Sequence, residues 1–322
     1  MKNPVLDRIH DIGVVPVIAI DDAEKGKPLA EALASGGLPV AEITFRTAAG
    51  QEAIKNIAKH CPNIVLGAGT VLNVEQVKMA VDSGASFIVS PGYNQDIVDY
   101  CQKRGIAVLP GCSNASDMTR AVNAGLEAVK FFPAEQSGGL NTIKALAPVF
   151  PSLKVMPTGG INAKNLKEYL SNDRVFGCGG TWMVKKEDIN KENWESITDA
   201  CKKTVDIILD ITLKHVGINC EEEKESRCVA DAICTLLGLE YKEGNSSIFA
   251  GGSFEVMKRP GNGKNGHIAI GVNNIKRALY HFGAKGAAFN FASQKNDNDG
   301  NIMAIYFKDE IGGFALHLVK NS

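Results

Sequence analysis

The sequence predicts an α/β fold: a (β/α)8 TIM barrel followed by a smaller C-terminal α+β domain of paired βαβββ units. Three features predict it. Short apolar runs recur along the first two-thirds of the 322-residue chain. Amphipathic stretches that close on glycine fill the intervals between them. Past about residue 212 the pattern changes to strand-like runs separated by Gly-Asn, Gly-Gly and Asp-Gly turn signals.

The apolar runs fall at 14–20, 40–45, 64–68, 87–89, 106–109, 128–131, 154–156 and 175–178. Each is short enough for a buried strand, and their spacing of roughly two dozen residues fits one strand, one helix and two loops. The first holds Pro16 and is too short to span a bilayer. Asp7, Asp11, Asp21 and Asp22 flank it, so it does not read as a signal peptide. Between the runs, Leu29, Ala32 and Leu33 before Gly36, and Val74, Val77, Ala80 and Val81 before Gly84, keep helical spacing. Gly36, Gly84, Gly105 and Gly125 are expected just past helix ends. A doubly wound open sheet would produce the same alternation. Its dinucleotide-binding form wants glycines after the first strand, and here they come late.

Acidic and basic residues nearly cancel, 36 against 35, with no basic stripe, so neither nucleic acid nor a membrane is an expected partner. The eight cysteines form no Cys-x-x-Cys pair, and several sit in apolar runs. Free thiols in a reducing cytoplasm are the expectation.

Lys130 is the residue that speaks to chemistry. It stands alone in a short apolar strand that stops at Pro133. Desolvation disfavours an ammonium, and a neutral amine at a strand end is a nucleophile for a carbonyl carbon. A barrel gathers its chemistry at the C-terminal strand ends. Those ends supply Glu42 and Arg46, Thr70, Pro91, Cys112, Lys130, Thr158 with Gly159-Gly160, and Gly179-Gly180 with Thr181. Glycine pairs after the last two strands would let backbone N–H groups approach a phosphate. Cys112 reads as a packed small residue, because no histidine is near it in sequence.

The segments Lys-Phe-Phe-Pro-Ala-Glu at 130–135 and Pro-Thr-Gly-Gly-Ile at 157–161, with Glu42 and Arg46, resemble the 2-keto-3-deoxy-6-phosphogluconate / 4-hydroxy-2-oxoglutarate aldolase family over residues 5–205. The resemblance implies a class I aldolase, usually a homotrimer, acting on a small-molecule 2-keto acid with no cofactor. Lys130 would form the Schiff base and Glu42 would act as acid/base. Arg46 would hold the C1 carboxylate, with Thr70, Pro91 and Thr158 around the same end. Gly159, Gly160, Gly180 and Thr181 would take a phosphate; Thr181 stands where the family commonly has serine. A sugar-phosphate epimerase or isomerase barrel, and a non-catalytic metabolite-binding regulator, are the rival readings.

The remainder, 213–322, shows a weak internal repeat: Lys214-His215-Val216-Gly217-Ile218 against Gly266-His267-Ile268-Ala269-Ile270, and Phe254-Glu255-Val256-Met257 against Leu316-His317-Leu318-Val319. It resembles the vicinal oxygen chelate superfamily. That resemblance implies ligands on the first and fourth strands of each unit: His215, Glu255, His267 and His317. Three imidazoles and one carboxylate suit a divalent metal such as Zn2+, Ni2+, Fe2+ or Co2+. His317 departs from the usual glutamate, and a sensing or assembly role is equally compatible.

Overall fold

The apolar runs of the first unit are buried on both faces, a state that parallel strands reach when helices cover them. They form β1 (Val14–Ile18), β2 (Val40–Thr44), β3 (Val65–Gly69), β4 (Phe87–Val89), β5 (Ala107–Leu109), β6 (Gly111–Cys112), β7 (Ala128–Phe131), β8 (Lys154–Pro157) and β9 (Cys178–Gly180). The computed structural model describes residues 1, 3–298 and 300–321, and it divides into two units, Met1–Ile208 and Leu209–Ser322. The first is an α/β unit.

Its strands pair in parallel in the orders β5-β4-β3-β2-β1-β9 and β6-β7-β8. Only Pro110, which has no N–H to give, separates β5 from β6. Its carbonyl still accepts the Lys130 N–H at 3.0 Å. Single bridges, Val155 to Val175 and Thr158 to Gly179, link β8 to β9. The pairings therefore return to β1, and all the strand C-termini lie at one end.

Asparagines start several of the covering helices. The side chains of Asn73, Asn94 and Asn114 accept from the N–H of Gln76, Ile97 and Asp117, satisfying helix-start donors that would otherwise be orphaned. A helix at Pro4–Ile12, absent from the sequence reading, precedes β1. Its signal was in the text: Asn3 caps it and Pro4 opens it.

Gly36 stands just past its helix end as expected, and Gly37 after it takes the left-handed conformation, with φ +86°. Gly36 is there for close packing, since a Cβ would lie 2.3 Å from that of Cys201. The last strand is Cys178–Gly180, later than expected. Gly179 and Gly180 are thus strand residues, not the turn after it. A Cβ on Gly179 would meet Thr158 Oγ1 at 2.3 Å, and one on Gly180 would enter the Trp182 ring. Cys112 is packed at 1 % exposure, and Cys101 and Cys201 are fully buried.

The second unit runs strand, helix, three strands, twice over. Its elements are β10 (Thr212–Asn219), the helix Glu223–Leu237, β11 (Tyr241–Glu243), β12 (Ser247–Ala250) and β13 (Phe254–Met257), then β14 (Gly266–Val272), the helix Ile275–Ala284, β15 (Phe289–Asn296), β16 (Ile302–Ile311) and β17 (Phe314–Lys320). They make one sheet ordered β11-β12-β13-β10-β14-β17-β16-β15. β10 runs parallel to β13 and β14 to β17, while β10 and β14 meet antiparallel at the centre. Apolar residues of the first helix, including Ala230, pack on Ile248 and Val256 from one face. The expected turn residue Asp299 lies outside the described residues. The units divide at Ile208/Leu209, at the end of the helix Trp194–Leu209 and just ahead of β10.

Two measurements check this packing. A Cβ on Gly67 would lie 2.2 Å from the Phe87 ring. Gly67→Ala should therefore cost about 1–3 kcal/mol in denaturant unfolding, as overpacking does. Phe87→Leu in the same chain should recover part of the loss; an unshifted midpoint would remove the contact from the account. Burial pushes the thiols of Cys101, Cys112 and Cys201 up to about 12, with Asp117 adding to the effect at Cys112. At pH 8 a disulfide reagent should label exposed Cys228 quickly and these three only after denaturation. Fast labelling of Cys112 in the native protein would contradict its packing.

Candidate active site and a second polar cluster

Lys130 on β7 and Glu42 on β2 come from opposite parts of the first unit, and the return of the pairings brings their side chains together. Lys130 Nζ donates to Glu42 Oε1 at 3.2 Å, with Lys130 5 % and Glu42 0 % exposed. The other oxygen, Glu42 Oε2, is buried with no hydrogen-bond partner among the described residues. Gly69 on neighbouring β3 makes the room, because a Cβ there would sit 2.2 Å from Glu42 Oε1. Lys130 Nζ also lies 5.3 Å from the centre of the Phe132 ring. An amine and a carboxylate with a spare acceptor, both shielded from water, can exchange a proton with a bound carbonyl compound.

Arg46 is exposed at the same end, and its Nε donates to Thr70 Oγ1 at 3.2 Å. Thr70 holds φ +59°, a left-handed conformation uncommon for a β-branched residue. Backbone strain of this kind persists only where the surroundings impose it. Glu42 and Arg46 do not form a surface ion pair with each other: one faces Lys130, the other Thr70.

Thr158 is 6 % exposed after β8, and Gly159 and Gly160 follow it with φ +96° and +83°. Pro91 is half-buried; its carbonyl approaches Gly111 so closely that a Cβ there would lie 2.1 Å from it. Thr181, the first residue past β9, is exposed. It lines a cleft of about 300 Å³ with Thr44, Arg46, Trp182, Lys185 and Lys186. Gly180 is buried inside β9 beneath Trp182, so its expected place in an open turn is corrected. The two lysines of the cleft went unnoticed in the sequence. Their signal was position alone, a short step beyond a strand end. Lys186 is tied to Asp21 at 2.8 Å.

In the second unit the register gathers four side chains. Gly217 lies opposite both Glu255 and His267, and Ala269 opposite both His215 and His317. With a period of two, all four side chains share one face of the central strands. His215 Nε2 lies 3.2 Å from His267 Nε2, and both face Glu255 Oε2, at 3.2 and 3.1 Å. One ring nitrogen each from His215, His267 and His317 falls within 4.8 Å of the others. Gly217 is the space-maker, since a Cβ would collide with the His267 ring.

The electrostatics match the geometry. Hydrogen bonds from His215 and His267 hold the Glu255 carboxyl well below the usual carboxylate range. Burial, helped by the two other imidazoles, lowers His317 to about 4, so it stays neutral at pH 7. His317 Nε2 is buried with no partner among the described residues. The sequence missed the supports of this cluster. Ser247 donates to Glu255 Oε1 at 2.7 Å, leaving Oε2 to the imidazoles. Tyr306 stacks on His317 at 4.7 Å.

Known proteins resemble the first unit closely. The model of the KDPG and KHG aldolase family matches residues 5–200. The 2-dehydro-3-deoxy-phosphogluconate aldolase of Haemophilus influenzae is 44% identical over 204 residues, covering 63% of this chain and 96% of its own. The KHG/KDPG aldolase of Escherichia coli is 37% identical over 193 residues, covering 60% and 91%. A crystal structure of KDPG aldolase from Legionella pneumophila, with pyruvate captured as a covalent carbinolamine, has a TM-score of 0.60 at 39% identity, covering 61% of this chain and 96% of that one. With the family matched across most of the first unit, and a buried amine–carboxylate pair where the strand ends meet, the chain belongs to the KDPG and KHG aldolase family of carbon–carbon lyases.

Proposed function

We propose that the first unit, read as a (β/α)8 barrel, cleaves 2-keto-3-deoxy-6-phosphogluconate to pyruvate and glyceraldehyde 3-phosphate, and 4-hydroxy-2-oxoglutarate to pyruvate and glyoxylate. The buried contact of Lys130 Nζ with Glu42 Oε1 carries this reading. The Lys130 amine adds to the C2 ketone, and loss of water leaves a protonated Schiff base. Glu42 takes the C4 hydroxyl proton. The C3–C4 bonding electrons then flow to the Schiff-base nitrogen, the aldehyde departs, and an enamine of pyruvate remains. Protonation at C3 and hydrolysis release pyruvate and restore the amine. No cofactor enters, because the Schiff-base nitrogen is the electron sink.

Arg46 presents a fork of donors to the C1 carboxylate. Thr70 steadies that fork, and Thr158 and Pro91 line the same end. The turn Gly159-Gly160, together with Thr181, receives the phosphate. Gly180 serves by lacking a side chain under Trp182. The family resemblance supports a homotrimer, and the buried free thiols support a cytoplasmic location.

For the second unit, we propose one divalent metal held by His215, Glu255, His267 and His317, as the resemblance to the vicinal oxygen chelate superfamily implies. The orphaned Nε2 of His317, beside the converging His215, His267 and Glu255, supports it. A bound metal would supply Lewis acidity at the open face of the sheet. Ser247 and Tyr306 fix the orientation of its carboxylate and imidazole ligands.

Each part has its measurement. Pyruvate with borohydride should add a stable mass to the peptide containing Lys130, and Lys130→Met should abolish both labelling and turnover while the protein still folds. Normal turnover in that variant, or labelling of another lysine, would return the epimerase and regulator readings to contention. Metal analysis should find up to one divalent ion per chain, lost from His267→Ala. Removing it with a chelator should leave aldolase turnover unchanged. A metal content unaffected by His267→Ala would make the second unit a binding or assembly module.

A further inference from the structure

The mechanism leaves unused one tightly built feature beside the phosphate corner. Tyr169, 2 % exposed on the short helix Leu166–Leu170, donates its hydroxyl to Glu135 Oε1. Glu135 ends the Lys-Phe-Phe-Pro-Ala-Glu segment that begins with the reactive lysine. Its N–H donates to Gly159 O at 3.1 Å, and the N–H of Ala134 to Thr158 O at 2.8 Å, so the segment is laced to the Gly159-Gly160 turn. The Glu135 side chain then lies against that turn: a Cβ on Gly160 would meet Glu135 Cγ at 2.4 Å. The hydrogen bond itself passes over Gly139, whose Cβ would fall 2.8 Å from the Tyr169 hydroxyl and 2.9 Å from Glu135 Oε1.

Two glycines with positive φ, Gly139 and Gly160, therefore give room to one hydrogen bond. On the far side of the turn, Asn162 and Asn165 donate to Gly160 O at 3.0 and 3.2 Å. With its carbonyl drawn to those asparagines and its other flank held by Glu135, the turn is fixed from both sides. No described acceptor takes the N–H of Gly160 or Ile161.

We infer that the Tyr169–Glu135 hydrogen bond is a positioning device for the Gly159-Gly160 turn, and so sets the enzyme's preference for a phosphorylated over an unphosphorylated 2-keto acid. The inference rests on the reading of that turn as the phosphoryl subsite. The physical need is plain. A free carboxylate beside an incoming phosphate dianion would repel it, and a loose turn would have to be ordered on binding. The tyrosine answers both, by tethering one carboxylate oxygen and by locking the turn before the substrate arrives. Burial and the neighbouring carboxylate both push the Tyr169 hydroxyl up, so it remains a protonated donor through neutral pH.

The test compares 2-keto-3-deoxy-6-phosphogluconate with its dephosphorylated form, using the full chain and four variants. Tyr169→Phe should raise KM for the phosphorylated substrate by about 5- to 10-fold, the worth of one hydrogen bond, with kcat preserved. Inhibition by inorganic phosphate should weaken by a similar factor, and KM for the dephosphorylated form should stay near its starting value. Glu135→Ala cuts the same bond from its exposed partner and should reproduce the effect even where Tyr169→Phe folds poorly. Glu135→Gln keeps an acceptor for the tyrosine and should restore most of the discrimination. Equal losses on both substrates, or lower kcat on both with a lower unfolding temperature, would reduce the pair to a structural staple and overturn the inference. Thr181→Ala separates the two levels. If it discriminates while Tyr169→Phe and Glu135→Ala do not, the subsite stands and the positioning role falls. If none of them discriminates, both fall.

Discussion

The buried contact between Lys130 and Glu42 is the constraint around which the first unit is built. Two ionisable groups taken out of water cost more than their attraction returns, unless further contacts satisfy them. Removing one partner of such a pair typically destabilises a fold by about 3–5 kcal/mol. The strands around the pair are spent on accommodating it. Gly69 gives up its side chain so that Glu42 can lie flat across β3. Pro110 breaks one strand in two, yet keeps its carbonyl for the Lys130 N–H. Glu42 Oε2 is left without a partner among the described residues, a cost that folds accept mainly at sites with a role beyond stability.

Much of this was legible in the sequence, because the signals were local. A lone lysine in an apolar run stands out against its neighbours, and so do strand-sized runs at regular spacing. The helix-start asparagines Asn3, Asn73, Asn94 and Asn114 were equally local signals but went unread. What was hidden depends on distant parts of the chain. Gly179 and Gly180 look like a turn, but they pair with Val15 and Pro16 of β1, and they are glycines because Thr158 and Trp182 occupy the space their side chains would need. Gly36 ends its helix as expected, but the Cys201 side chain that also needs the space is not visible from the local sequence. Glycine records the absence of a side chain without recording which neighbour demands it.

The second unit shows the opposite balance. Four polar residues at 215, 255, 267 and 317 were grouped by the resemblance to the vicinal oxygen chelate superfamily, and they fall at matching positions of a weak repeat. Their supports, Ser247 and Tyr306, sit on strands outside the repeat-matched pairs and gave no signal. Gly217 was in plain view beside His215. Its purpose appears only once the register puts the His267 ring on top of it.

The two units gather distant residues by different geometries, and the geometries fail differently. In the first, parallel strands deliver their ends to one rim, so Glu42 and Lys130 meet by reaching the same height. A one-residue slip of β2 would move Glu42 by about 3.3 Å along the strand, out of reach of the amine, and turn its side chain toward the covering helices. In the second, residues meet on a face and not at an end. There a slip of β14 by one residue would send His267 to the helix-covered side, where an imidazole would be buried against apolar packing without its carboxylate. Both clusters therefore penalise misregister. That explains why each sits on the innermost strands of its unit, paired on both sides, where slippage costs most. A polar group buried for function then also helps specify the fold that buries it.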